Sequence, residues 1–201
     1  MSIVSNLIRN LSVRIKLLSG FMMVLLVLLL ISVLSYNALN SLTGRFQLVA
    51  DVSETNLLIS EARQQEKNFM LRNDQKHYQQ AVDITNNAKQ LGEKSLPLFT
   101  NQQSADLMRE LLHNLGLYQQ QLDLLANIDM QANEAAALEI EERMTQVAVA
   151  ADDAGTRSVQ NQLAILELEM NELEWVIIIA AIIAIVVSVV AAVVITQMVV
   201  A

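Results

Sequence analysis

Residues 175–201 read WVIIIAAIIAIVVSVVAAVVITQMVVA: one tryptophan, then 26 residues without a charged side chain. At about 1.5 Å of rise per helical residue, about 20 apolar residues cross a hydrocarbon core about 30 Å thick, so the stretch is long enough to span a membrane. Its many Ile and Val residues do not oppose a helix there. In lipid every backbone N–H and C=O must be satisfied within the segment, and only helices and closed barrels achieve that. Trp175, directly after Glu172 and Glu174, stands where an interfacial depth marker belongs.

A second apolar stretch, Leu17 to Tyr36, also lacks charge and holds the run Val24 to Ile31. It predicts a first transmembrane helix over 17–36. The rival reading is a cleaved signal peptide, for which Val33-Leu34-Ser35 is a tolerable small-residue context. The apolar run is longer than a usual signal core, which favours the span. The composition fits this division: 53% of residues are hydrophobic, high for a globular domain, and the excess is concentrated in these two stretches.

Charge is distributed as unevenly as hydrophobicity. All 21 acidic residues lie at or beyond Asp51, whereas Arg9, Arg14 and Lys16 are the only charged side chains before Arg45. A basic flank beside a first span marks the cytoplasmic side, so residues 1–16 are expected inside and the segment after the first span outside. The acidic balance, a net charge of −8, disfavours nucleic acid as a partner. Cysteine is absent, which excludes a disulfide framework and Cys-based metal or redox chemistry. One Pro and five Gly among 201 residues argue for long uninterrupted helices.

Residues 37–174 form the insert between the spans, and their punctuation divides them into four helices. Asn73-Asp74 closes the first, about 37–72. Ser95 to Thr100, with Pro97, closes the second, about 75–96, and Asn127 to Asn133 separates the third from a fourth that starts near Gln131. Leu48, Val52, Thr55, Ile59, Ala62, Glu66 and Phe69 alternate at spacings of four and three, one heptad seam. Met108, Leu111, Leu115, Tyr118, Leu122 and Leu125 keep the same rhythm. On the fourth helix the expected seam is Ala137, Ile140, Met144, Val147, Ala151, Ala154, Ser158, Asn161, Ile165 and Leu168. The second helix has only a thin edge of Tyr78, Val82, Thr85 and Ala88.

The expected fold is therefore all-α: an antiparallel up-down four-helix bundle flanked by two transmembrane helices. The first and fourth helices should run without a break into the two spans. The stripe Leu42, Phe46 and Val49 on the first helix is free to pack against a second copy, so a homodimer is expected.

Enzyme motifs are missing. There is no His-Glu-x-x-His, no Gly-rich phosphate loop and no nucleophile elbow, and the two histidines, His77 and His113, lack the spacing of a metal pair. No cofactor is implied. The informative stretch is Glu61 to Asp74, EARQQEKNFMLRND. Arg63 and Lys67 stand one turn apart on one helix face, and Glu66 falls in the core seam. A carboxylate in a dry core must be paired or sit in a wet layer. Two readings of these residues remain open. In one, Arg63 and Glu66 form a buried polar layer that fixes register; in the other, Arg63, Lys67 and Arg72, with Glu66 beside them, offer donors to a small anionic ligand.

The layout of basic N-terminus, span, external four-helix segment and second span resembles that of bacterial methyl-accepting chemotaxis receptors. The run Ala62-Arg63-x-x-Glu66-Lys67-x-Phe69-x-Leu71-Arg72-x-Asp74 is similar to the first-helix signature of their helical sensor domains, especially the helical bimodular kind. The resemblance implies a periplasmic sensor in the bacterial inner membrane that binds a small molecule and signals through the second span. The insert has the length of a single four-helix module. Such receptors continue past the second span into a HAMP module and a cytoplasmic signalling region. This sequence ends at Ala201 without either, so cytoplasmic partners are expected to act only through a region outside it. Two further readings fit the same layout: the input half of a sensor histidine kinase, and a standalone membrane helical protein that binds a partner.

Overall fold

The computed structural model describes residues 13–129 and 132–200 of the chain. Four α-helices make it up: α1 (Val13–Arg72), α2 (Gln75–Ser95), α3 (Gln102–Ala126) and α4 (Glu134–Val200), with a 3-10 turn at Leu96–Leu98 after α2. No strand occurs among the described residues, and the protein is all-α. The N-terminal flank before Val13 and the expected start of the fourth helix at Gln131 lie outside the described residues.

Local chemistry sets each boundary. Asn73 adopts a left-handed backbone, φ 51°, and its N–H donates to the Phe69 carbonyl at 2.7 Å, an αL cap on α1. Asp74 is extended and its carboxylate accepts from the Lys76 N–H at 3.0 Å, capping α2. A two-residue turn thus reverses the chain. Pro97 ends the second helical stretch, and Asn101 caps α3 by accepting from the Ser104 N–H at 3.1 Å. By contrast α1 runs for 60 residues and α4 for 67, since neither contains a Pro and isolated glycines cost only about 1 kcal/mol each.

Packing divides the chain into two compact units. One joins the two ends, up to Leu42 and from Glu167, and the other is Thr43–Leu166. The sequence places the divisions at 37 and 174, where aromatic and acidic residues end the apolar runs. The packing division falls inside the 37–174 insert at both ends, because Leu39, Leu42, Met170 and Leu173 are apolar and line one furrow within the terminal unit. In that unit α1 and α4 are each long and apolar enough to cross a membrane, and no part of either apolar window is buried by protein.

The unit Thr43–Leu166 has its own core, in two clusters that each draw on all four helices. One gathers Ala62 and Phe69, Ala81, Tyr118 and Leu122, and Met144. The other gathers Val52 and Ile59, Ala88, Met108 and Leu111, and Ala151. All seven seam residues expected on α1 are buried, and so are all six on α3. Buried hydroxyls in the seam satisfy themselves locally: Thr55 donates to the Asp51 carbonyl and Thr85 to the Ala81 carbonyl.

On α4 the buried series drifts away from the expected heptad. After Ala137 and Met144 it continues through Ala148, Ala151, Ala154, Ser158, Gln162 and Leu166, so that Val147, Asn161 and Ile165 are only half-buried and Leu168 is exposed. A straight helix with about 3.6 residues per turn slips about 20° per heptad against a strict 3.5 repeat, and α4 follows the helix. Small side chains allow this. A Cβ on Gly155 would lie 1.9 Å from Asn56 Oδ1, so the α1 side chain rests directly on the α4 backbone there. On α2 the buried face is Ala81, Thr85, Ala88, Gly92 and Ser95. A Cβ at Gly92 would meet Leu112 at 2.8 Å, which marks a second, less tight approach, of α2 and α3.

The drift places Gln162 at 0% exposure with neither its Nε2 nor its Oε1 hydrogen-bonded to protein. Leaving a buried polar group without a partner costs about 1–3 kcal/mol. Gln162→Met keeps the volume and removes the amide. It is expected to raise the thermal midpoint of the full chain in detergent, by an amount corresponding to about 1 kcal/mol or more. A lower midpoint in a melting curve would show that the amide contributes hydrogen bonds to the core.

Candidate functional site

The residues singled out in sequence lie on the last three turns of α1, and the structure sends them in different directions. Glu66 points inward and is 1% exposed. Its Oε2 accepts from the Tyr118 hydroxyl of α3 at 2.6 Å, the short distance of a charge-assisted O–H···O⁻ bond. Arg63 is half-buried, and its Nη2 donates to Thr145 Oγ1 of α4 at 3.2 Å. Lys67 is exposed, and so is Arg72, the final residue of α1.

Arg63 and Glu66 therefore belong to one polar layer, but not as the ion pair that their spacing offers. Each bonds a neutral hydroxyl on another helix, so the layer joins α1 to α3 through Glu66 and to α4 through Arg63. Tyr118 enters the sequence pattern as one more apolar seam residue. The available signal was that a buried carboxylate needs a donor and that Tyr118 is the one residue of the α3 seam that has a hydroxyl. Nothing in the sequence singles out Thr145.

Packing around the layer explains its electrostatics. Phe69 and Tyr78 stack at a tilted angle with ring centroids 5.7 Å apart, and the Tyr78 hydroxyl donates to Asp123 at 2.9 Å, closing α1, α2 and α3 over the site. His77 Nδ1 is hydrogen-bonded to Gln65 Oε1 at 2.9 Å and holds the start of α2 to α1. With water excluded, burial pushes the Glu66 carboxyl above the usual carboxylate range. The Tyr118 hydrogen bond and the Arg63 charge oppose the shift without cancelling it. Burial and the neighbouring Glu66 charge push the Tyr118 phenol upward, so it remains a donor.

Arg63 spends one of its five N–H donors on an uncharged oxygen, and Lys67 follows one turn later on the surface of α1. Among the described residues no cluster of three or more His, Cys, Asp or Glu side chains is placed to hold a metal ion. His113 is exposed, on α3. Comparison with protein-family models, with curated proteins and with solved structures finds no match to this chain.

Two variants test the buried pair. Tyr118→Phe removes the hydrogen bond that α3 gives the Glu66 side chain and is expected to destabilise the protein at pH 7 by about 1–3 kcal/mol. Glu66→Gln tests the pH linkage. A carboxyl raised in the folded state favours folding below its unfolded pKa, and that advantage is lost as pH rises through the folded value. The stability of wild type relative to Glu66→Gln should therefore fall steadily as pH is raised from 4 toward neutrality, read as the difference in thermal midpoints. A difference independent of pH would mean that Glu66 titrates as an ordinary carboxylate.

Proposed function

We propose that this chain is the ligand-sensing and transmembrane signalling portion of a bacterial chemoreceptor. Residues 37–174 form an antiparallel up-down four-helix bundle in the periplasm, and helices 17–36 and 175–201 cross the inner membrane with the N-terminus in the cytoplasm. The contacts of Thr43–Leu166 support the bundle, because partner numbers run in opposite senses between successive helices. Gln65 bonds to His77 and Asp51 to Ser95, and Tyr78 bonds to Asp123 and Asn86 to Gln119. The same holds between α1 and α4, where Arg63 meets Thr145 and Asn56 meets Gly155. The apolar windows of α1 and α4, free of protein contacts that would bury them, support the spans.

The observation that carries the reading is the continuity of α4, one helix from Glu134 to Val200 that includes both the core residues Met144 to Leu166 and the apolar run after Trp175. A small anion enters at Arg63 and Lys67. Because Arg63 is hydrogen-bonded to α4 through Thr145, an anion that draws its guanidinium away alters the α1–α4 contact directly. A change in the position of α4 then reaches the second span without crossing a loop. Phe46, 52% exposed on α1, and the half-buried Val49 beside it support association with a second copy.

A thermal-shift screen of the full chain against inorganic phosphate, small carboxylic acids, amines and purines tests ligand recognition. A ligand present at about 100 times its Kd stabilises the native state by about 2.7 kcal/mol. At least one anion is expected to do so, and Arg63→Ala with Lys67→Ala should abolish that shift while leaving the unliganded helical content unchanged. Engineered disulfides between α1 and α4 should then form at different rates with and without that anion. A screen without any hit, or equal cross-linking rates in both states, refutes the sensor reading.

A further inference from the structure

In the terminal unit α1 and α4 leave a furrow between them, with a volume of about 420 Å³. Its walls are mostly apolar, Ala38 and Leu39 on α1 and Leu173, Ile177 and Ile178 on α4, with Ser35 of α1 among them. A smaller cavity of about 90 Å³ continues it past Ile31 and Leu34 to Ala180, so the furrow runs on for about 9 Å beyond Glu174 into the apolar run. At its other end two polar side chains, Asn171 and Glu174, line the mouth beside Trp175. The furrow has an amphiphile's polarity, with a hydrogen-bonding anionic head and a long apolar tail.

The geometry points to a phospholipid with an amine-bearing headgroup as the occupant, its ammonium at Glu174 and an acyl chain along the furrow toward Ala180. This inference rests on the membrane reading above. Charge selects the headgroup. α4 contains no Lys or Arg beyond Arg157, and α1 contains none between Lys16 and Arg45, so nothing in the furrow's walls favours an anionic headgroup. Glu172, two residues before Glu174, adds further repulsion. A second copy supplies no cation here: a two-fold interface sets the same surface against itself, and the furrow's walls carry no Lys or Arg. A zwitterionic amine lipid supplies the missing cation and fills the furrow with one molecule.

Trp175, the only tryptophan and 66% exposed, is a built-in reporter beside the mouth. The full chain is reconstituted in vesicles of equal phosphatidylethanolamine and phosphatidylglycerol, with brominated acyl chains carried by one lipid or the other. Quenching of Trp175 fluorescence should report a preference for phosphatidylethanolamine of about fivefold, the size expected of one charge pair at a wet interface. Glu174→Gln, a change at an exposed position, should remove the preference and keep the quenching itself. Equal quenching by the two lipids in the wild-type chain, or a preference that survives Glu174→Gln, overturns the proposal while leaving the spans in place. Trp175 quenched by aqueous iodide and by neither lipid overturns the membrane reading as well.

Discussion

Unequal helices share one core here because α1 presents a buried residue at every step of a 4-3 rhythm from Leu48 to Phe69. Everything else in Thr43–Leu166 is built against that stripe. α3 meets it with large side chains, Met108, Leu111, Leu115, Tyr118, Leu122 and Leu125, while α2 meets it with small ones and α4 with small ones through its middle, Ala148 to Ser158. The division of labour has a physical consequence. Large knobs on one helix fill the space that Ala, Gly and Ser on its neighbours leave open, which brings those neighbours close enough for Asn56 to lie on Gly155 and for Leu112 to reach Gly92.

Polar residues inside such a core have to be accounted for one at a time. Thr55 and Thr85 bond to their own helices, and Ser95 shares Asp51 with Gln47, tying α1 to α2. Glu66 has a single hydrogen-bond partner from α3, and Arg63 a single one from α4. These last two bonds lie in one layer, and each spans a different helix pair. A layer of that kind can take up a proton at Glu66, which an apolar layer cannot do.

Much of this was legible in the residues themselves. The seams of α1 and α3 can be read at single-residue resolution, because a heptad with Leu, Met and Phe has no competing face, and the turn at Asn73-Asp74 announces itself by its side-chain chemistry. Two features were not legible. On α4, Val147 and Ala148 or Ile165 and Leu166 are equally apolar neighbours, so hydrophobicity alone could not tell which of each pair faces inward, and the drift of the helix decided it. The partners of Glu66 and Arg63 depend on which residues of α3 and α4 stand at the same height, which is a property of the assembled core and not of any one helix.

The central claim is that α4 carries the core of Thr43–Leu166 and the apolar run after Trp175 on a single uninterrupted helix. Amide hydrogen exchange of the full chain in lipid vesicles, followed residue by residue through Leu166–Ile178, tests it most directly. Continuous helical hydrogen bonding should give protection at every amide across that stretch, with no fast-exchanging segment at Glu167–Glu174. A run of rapidly exchanging amides there would show a joint between the two parts of α4 and would contradict the claim.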